Sequence, residues 1–210
     1  LPFTPDGNGG FTGPAGYGLS LSRIKTGEVT EDFGTEEDPD VQTFDVYEYE
    51  ITSRDGTVRR FNSWGLLASI TDLNCFNTAL SYDAAYNLTG ITTPSGKTFA
   101  IALNENGMIR SVTLPDGGLV RYAYDDAGNL VSYFDALGNE TKYIYDEAHR
   151  MTSWVDANGT AMVVNVYDEK GRVVEQTDGN GGVSKLAYED GKTIATDAAG
   201  NITVYHYDEQ

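Results

Sequence analysis

The stretch Tyr124–Tyr145, YDDAGNLVSYFDALGNETKYIY, contains two predicted turns and two predicted strands. Asp125–Asn129 and Asp135–Asn139 each group Asp, Gly and Asn, which are residues that tolerate tight turns. The segments Leu130–Phe134 and Thr141–Tyr145 are rich in β-branched and aromatic residues, at a length typical of short strands. The stretch therefore predicts a repeating unit of strand, turn, strand and turn, in which both turns are hairpin connections.

The same unit recurs along the chain at a nearly fixed spacing. Successive copies begin 21 residues apart, apart from one interval of 22 and a last interval of 19. The copies begin at Phe61, Tyr82, Leu103, Tyr124, Tyr145, Tyr167, Tyr188 and, cut short, Tyr207. A fixed period in this range marks a repeat protein, in which each unit needs its neighbours to cover its apolar surface. We therefore expect an array of about seven β-hairpin units over residues 61–210.

The repeated motif is Tyr-Asp-x-x-Gly-Asn/Arg-Leu-x-Ser, with Asp-x-x-Gly following after three more residues. This motif resembles the RHS/YD-repeat family, which includes polymorphic-toxin, wall-associated and teneurin-like proteins, and the resemblance covers residues 61–210. It implies an all-β fold, an antiparallel β-hairpin repeat array that curls into an open strip or partial shell. Curling is also expected because open twisted sheets rarely pass about ten strands without curling or splitting. The structural repeat aromatics are then Tyr82, Tyr124, Tyr145, Tyr167, Tyr188 and Tyr207.

The residues before the array divide into two segments. Residues 1–43 form a Gly/Pro-rich and acidic lead-in, in which Leu19–Ile24 alternates apolar and polar residues as one strand does. Glu28–Asp40 has seven acidic residues and no basic one, and self-repulsion predicts an acidic surface loop. Residues 44–60 predict a degenerate first hairpin, because Asp55 and Gly56 give a strong hairpin-turn signal.

The composition narrows the possible partners. The chain has 210 residues, of which 40% are hydrophobic, so it has the composition of a folded protein. Its net charge of −18 repels nucleic-acid phosphates, so we expect no nucleic-acid partner. No apolar run approaches the ~18 residues that span a bilayer, so we expect no membrane insertion, and no secretory leader is recognised at the start.

The strand positions form columns of similar residues. The first residue of each unit and the residue two places before it share a strand face, because alternate strand residues point the same way. The second of these columns contains Leu80, Ile101, Tyr122, Tyr143, Val164, Leu186 and Tyr205, with Val164 placed there despite the one-residue insertion in its unit. Both faces carry apolar residues, so the pattern alone does not separate the inside from the outside.

No catalytic residue, cofactor site or metal site is predicted. His149 and His206 fall at a turn and a strand position, without a Ser or Cys motif beside them. Cys75 occupies a turn-Gly position, where we expect a partly buried, inert thiol. The segment that follows Asp178 partly resembles a calcium loop, but Val183 stands where that loop requires Gly. We therefore expect a protein that is not an enzyme.

The resemblance implies a non-enzymatic structural scaffold. Its role would be a β-shell wall segment of a large secreted or cell-surface protein, of bacterial origin, that encloses or presents a toxin or C-terminal domain. Its partner would then be the remainder of its parent chain or an enclosed toxin domain. The alternative is an extracellular carbohydrate-binding or adhesion module, in which Tyr133 and Trp154 stack on a glycan. These residues share a column in adjacent repeats, about 5–10 Å apart across strands.

Overall fold

A computed structural model of the protein describes residues 3–7, 10–35, 37 and 40–208. Within these residues the chain forms β-strands and no helix. The chain divides into two compact units, Leu1–Ile101 and Ala102–Gln210. The all-β prediction is therefore confirmed.

The first unit contains nine strands, the last of which ends two residues into the second unit. Each strand pairs antiparallel with the next one in the chain. The strands are β1 (Thr4–Pro5), β2 (Gly10–Thr12), β3 (Ser20–Asp32), β4 (Val41–Thr52), β5 (Val58–Phe61), β6 (Leu67–Thr71), β7 (Asn77–Tyr82), β8 (Leu88–Thr92) and β9 (Thr98–Leu103).

The second unit contains ten strands with the same antiparallel pairing in chain order. They are β10 (Ile109–Thr113), β11 (Leu119–Tyr124), β12 (Leu130–Phe134), β13 (Glu140–Tyr145), β14 (Met151–Val155), β15 (Ala161–Tyr167), β16 (Val173–Asp178), β17 (Val183–Glu189), β18 (Lys192–Thr196) and β19 (Ile202–His206). Among the residues that the structure describes, no pairing joins the first strand of either unit to its last. The predicted antiparallel β-hairpin repeat array is confirmed, and its sheet is open.

One turn geometry connects most of the strands. In the turn that follows Tyr124, the Asp125 N–H donates to the Asn129 carbonyl and the Gly128 N–H donates to the Asp125 carbonyl. The Asp125 carboxylate Oδ1 also accepts the backbone N–H groups of Ala127 and Asn129, at 3.0 and 2.8 Å. The fourth turn residue needs a positive φ, which Gly adopts without strain. The motif Asp-x-x-Gly therefore specifies both the acceptor and the backbone conformation of the turn.

A β-bulge accompanies each of the four Tyr-Asp turns at Tyr82, Tyr124, Tyr145 and Tyr167. In the second unit, Ala123 lies opposite Ser132 but Tyr124 lies opposite Leu130, so Val131 is an extra residue on its strand. A bulge locally bends a strand and increases its twist. These four repeats thus have a bend at the same position, whereas β17 and β18 pair around Tyr188 without a bulge.

The sheet has no conventional hydrophobic core in the part of the chain that the structure describes. No apolar side chain there is fully buried, and Asn165 is the one buried polar residue. In β17, Ser184, Leu186 and Tyr188 are half-buried while the intervening residues are exposed. The face that carries the repeat tyrosines is therefore the more sheltered one, which the sequence pattern did not distinguish.

The structure of the acidic segment differs from the predicted surface loop. We expected a loop over Glu28–Asp40, but β3 continues to Asp32 and pairs with β4 from Val41. The β-formers of Val41–Phe44 face β3 across the hairpin, and this pairing outweighs the repulsion between exposed acidic residues. The loop is confined to the segment between Phe33 and Asp40, and the Phe33 N–H donates a hydrogen bond to the Asp40 carbonyl. Of the predicted lead-in and loop, residues 1, 2, 8, 9, 36, 38 and 39 lie outside the described residues.

Candidate functional site

The repeat tyrosines of the second unit lie on one face of its sheet, which we call the aromatic face. Strand register establishes this placement, because directly opposite residues point to the same side of a sheet. Tyr122 lies opposite Tyr133, and Tyr143 lies opposite Trp154. The residues of the aromatic face are Tyr122, Tyr124, Tyr133, Tyr143, Tyr145, Trp154, Asn165, Tyr167, Gln176, Leu186, Tyr188 and Tyr205.

Most repeat tyrosines bond to the backbone of the neighbouring strand. The Tyr167 hydroxyl donates to the Met151 carbonyl at 2.7 Å, and the Tyr188 hydroxyl donates to the Val173 carbonyl at 2.8 Å. Tyr82, Tyr124 and Tyr207 make equivalent bonds to Leu67, Ile109 and Lys192, at 2.8, 3.0 and 3.4 Å. Each acceptor is the first residue of its strand. The repeated tyrosine thus fastens the end of one strand to the start of the preceding one.

Tyr145 departs from this pattern, since its hydroxyl bonds to no residue that the structure describes. Burial raises the pKa of Tyr145, and the nearby Tyr143 and Asp125 raise it further. Burial is also the main cause of the raised pKa of Tyr122. The phenols of Tyr122 and Tyr145 are therefore neutral at physiological pH.

A polar cluster interrupts the aromatic face between β14 and β16. The Asn165 Nδ2 donates to the Met151 carbonyl at 3.0 Å, and the Gln176 Nε2 donates to Asn165 Oδ1 at 2.9 Å. The prediction that Val164 occupies this column is wrong. The register places Asn165 there and turns Val164 to the opposite, exposed side, because the inserted residue shifts the strand by one position. The interval of 22 residues was the signal that could have located this cluster.

The proposed glycan-stacking pair, Tyr133 and Trp154, shares the aromatic face but not adjacent strands. Tyr133 lies opposite Thr141 and Trp154 lies opposite Tyr143, so β13 runs between them. Two strand spacings and a two-residue stagger separate their Cα atoms by about 12 Å, which is more than the predicted separation of about 5–10 Å. The Tyr133 ring packs against Tyr122, with their centroids 5.7 Å apart. Both residues are half-buried.

The aromatic face contains a groove of about 430 Å³ over β16–β19. Leu186, Ala195 and Tyr205 give it an apolar floor, while Ser184 and Thr203 add hydroxyl groups. Asp197 lies at its margin, and bonds from the Asn201 side chain and backbone hold the pKa of that carboxyl below its usual range. The groove therefore offers apolar contact with a few hydrogen-bonding groups and no nucleophile poised beside a base.

The two histidines and the cysteine occupy structural positions. His149 Nδ1 lies 2.8 Å from Asn129 Oδ1, and the Asn129 Nδ2 donates to Asp125, so His149 links its own turn to the turn Asp125–Asn129 of the preceding repeat. His206 is exposed on β19. Cys75 is exposed at a turn with a φ of 65°, so the expected partial burial is wrong. The reason is that every residue of its turn, Asp72–Phe76, is exposed.

The calcium-like segment forms an ordinary turn. Asp178 Oδ1 accepts the backbone N–H groups of Asn180 and Gly182, at 2.8 and 2.9 Å. Within the described ranges, no group of three or more His, Cys, Asp or Glu side chains is arranged to hold a metal ion. The same ranges contain no helix that is long and apolar enough to cross a membrane.

Comparisons with known proteins agree with this architecture. The family model described as the teneurin YD-shell matches residues 50–207. A search of curated proteins gives no significant match. A crystal structure of TcdB2-TccC3-Cdc42 is similar in fold, with a TM-score of 0.55 and 15% identity over 85% of this chain and 12% of that chain. A crystal structure of TcdB2-TccC3 without its hypervariable C-terminal region has a TM-score of 0.56 at 15% identity, again over 85% of this chain and 12% of that chain.

The chain therefore spans about an eighth of the length of these matched structures. The TM-scores show that these structures share the fold of this chain, and at 15% sequence identity the similarity shows the fold alone. The family match covers most of the chain and coincides with the strands, turns and tyrosines described above. The chain belongs to the teneurin YD-shell family of RHS/YD-repeat proteins.

Proposed function

We propose that this chain is a wall segment of a β-shell and acts as a non-enzymatic structural scaffold in a larger protein. The carrying observation is that its strands form a repeating sheet whose tyrosine-bearing face is the more sheltered one along β13, β15 and β17, without a buried apolar core among the described residues. Such a sheet suits a wall, because each repeat is stabilised by its neighbours and the array can be extended. The absence of a nucleophile poised beside a base on the aromatic face supports a passive role.

In this proposal the parent protein is secreted or displayed at a cell surface, and its shell encloses or presents a toxin or C-terminal domain. The partner of the wall is then the remainder of its own chain or an enclosed toxin domain. Support comes from the similar structure of TcdB2-TccC3, which was solved without the hypervariable C-terminal region of that protein. The half-buried aromatic face supports it as well, since a sheltered apolar surface suits contact with enclosed polypeptide.

Protease protection of the intact parent protein tests this role. We expect a C-terminal tag on the enclosed domain to survive protease until urea opens the shell, because the wall excludes the protease. The same tagged domain expressed alone is the control and should be digested at once if it is unfolded. Equal digestion of the tag in the two proteins at zero urea would argue against enclosure.

A second candidate function is carbohydrate binding or adhesion on the aromatic face. The observation that favours it is the strand register, which places Tyr133 and Trp154 on the same side of the sheet. Aromatic rings stack on the apolar faces of sugars, and about 12 Å between Cα atoms matches a site for an oligosaccharide. A glycan array is the test, with Trp154→Ala as the comparison variant. A signal that this variant leaves unchanged would eliminate the site.

A further inference from the structure

One hairpin of the first unit extends well beyond its neighbours. β3 and β4 pair from Ser20–Thr52 to Asp32–Val41, but β2 reaches only Ser22 and β5 pairs only with Tyr49–Thr52. Residues 23–32 and 41–48 therefore project beyond the neighbouring strands as a two-stranded segment, which we call the β-arm. In the described part of the chain, neither outer edge of the β-arm has a strand beside it. A two-stranded hairpin is only marginally stable in water, so this projection needs another source of stability.

The two faces of the β-arm differ in chemistry. Val29 lies directly opposite Phe44, and the Phe33 ring meets the Phe44 ring edge-on at 6.0 Å. These three side chains are 46%, 46% and 59% exposed, respectively for Val29, Phe44 and Phe33. On the other face, Glu28 lies opposite Asp45. The β-arm thus presents an uncovered apolar face and an acidic one.

The charge of the β-arm limits what can cover it. Residues 23–48 include nine acidic residues and only two basic ones, Arg23 and Lys25, and Lys25 is already paired with Glu28 and Asp45. A second copy of the β-arm would bring like charges together, which is unfavourable at an interface. A partner with Lys or Arg side chains would instead be attracted, and apolar side chains in the same partner would cover Val29 and Phe44.

The two edges of the β-arm are not equally suited to pairing. β3 has a register shift between Lys25 and Gly27, and such a bulge disrupts the ladder that an added strand would use. β4 runs without a bulge and alternates its side chains regularly over Val41–Glu48. The edge of β4 is therefore the one prepared to accept a further strand.

The base of the β-arm is fixed by charged and aromatic contacts. Lys25 Nζ binds both Glu28 and Asp45, and Asp45 also accepts a hydrogen bond from the Tyr47 hydroxyl at 2.8 Å. Arg23 lies over the Tyr47 ring, 4.1 Å from its centroid. These contacts orient β4 before any partner binds, which reduces the ordering cost of binding.

We infer that the free edge of β4, Val41–Glu48, binds an extended basic segment of another protein as an added antiparallel or parallel strand. Main-chain hydrogen bonds to β4 would supply affinity, and alternate side chains would supply specificity. Apolar side chains of the segment would pack beside Phe44 and Val46, while its Lys or Arg side chains would face Asp45. The partner is thus a polypeptide in which apolar and basic residues alternate.

A synthetic peptide tests this inference. The probe is an eight-residue peptide of alternating Val and Lys with blocked ends, and its controls are the Val/Glu peptide and a Val/Lys peptide with alternate backbone nitrogens methylated. Amide hydrogen exchange should slow at Val41–Glu48 with the Val/Lys probe alone. Either control peptide should bind at least tenfold more weakly than the Val/Lys probe. Binding of the probe should also weaken with added salt, because exposed charges are screened.

Variants of the protein locate the site. Thr43 is exposed on the acidic face, so Thr43→Lys should weaken probe binding about tenfold without removing apolar contacts. Phe44→Ser should weaken it through the apolar face, whereas Ile202→Ser on the exposed β19 is the matched control and should change nothing. Any of three results would overturn the inference. They are slowed amide exchange at Ile202–His206 in place of β4, binding of the Val/Glu peptide as tight as that of the Val/Lys probe, and unchanged probe binding by both β4 variants.

Discussion

The hydroxyl of Tyr188 offers a sharp test of how neighbouring strands are fastened. It donates to the Val173 carbonyl at 2.8 Å, while the Arg172 guanidinium lies over the ring at 4.1 Å. Tyr188→Phe removes the hydroxyl and retains the ring, so packing and the cation–π contact persist. Tyr145→Phe is the matched control, because the Tyr145 hydroxyl bonds to no residue that the structure describes.

The expected loss follows from the one hydrogen bond removed. A net intramolecular hydrogen bond contributes about 1 kcal/mol to stability, with a range of about 0.5–1.5 kcal/mol. A loss of about 1 kcal/mol raises the equilibrium constant for local opening about fivefold. Tyr145→Phe breaks no such bond, so we expect its effect to stay within about 0.5 kcal/mol.

Native-state hydrogen exchange is the suitable assay, because repeat arrays open in parts and a single global melt averages over them. In Tyr188→Phe, amides of β16 and β17 should exchange about fivefold faster under conditions where exchange reports the opening equilibrium. Those of β11 and β12 should not change. Equal acceleration around Tyr145 in Tyr145→Phe, or no acceleration in Tyr188→Phe, would refute the role of the tyrosine-to-carbonyl bond.

Three further predictions concern neighbours, turns and pH. Tyr145→Ala should lower the free energy of unfolding by about 2 kcal/mol or more in urea melts, because it truncates a half-buried ring. Tyr207→Ala should lower it by less than about 1 kcal/mol, because Tyr207 is 53% exposed, and equal losses in the two variants would contradict this prediction. Cys75→Gly should raise the free energy of unfolding by about 1 kcal/mol in the same assay, because Gly adopts a φ of 65° without strain, and a loss would show that the thiol has a contact of its own. Hydrogen bonds from the Asn129 side chain and backbone lower the pKa of Asp125, and those from Asn139 lower the pKa of Asp135. The contribution of these two carboxylates to stability is therefore present above the unfolded pKa near 3.8 and is lost as the pH falls through the lower folded pKa. In that acid range, the urea midpoint should fall less in the variant with both Asp125→Asn and Asp135→Asn than in the parent chain.

Much of the fold was predictable because its determinants are local. The five-residue turn from Asp125 to Asn129 contains its own hydrogen-bond acceptor, and Gly128 supplies the required backbone conformation. Repetition at a fixed period then specifies which strands are neighbours. Turn type, strand order and antiparallel pairing therefore follow from short stretches of sequence.

The features that were not predicted depend on pairing between segments. A single inserted residue exchanges Val164 and Asn165 between faces, and only the register with β16 shows which one is sheltered. Likewise, Glu28–Asp32 is unfavourable as an isolated acidic segment and becomes a strand because β4 pairs with it. The distance between Tyr133 and Trp154 also depends on register, since a shared repeat column does not reveal the strand between them.

Electron cryomicroscopy of the intact parent protein tests the central proposal most directly. If the chain is a wall segment, the reconstruction should show residues 50–207 as a single layer of β-strands that borders an internal space, with the aromatic face toward that space. Density for a C-terminal or toxin domain should lie within it or at its opening. A solid particle without an internal space, or an aromatic face turned toward the outer solvent, would contradict the proposal.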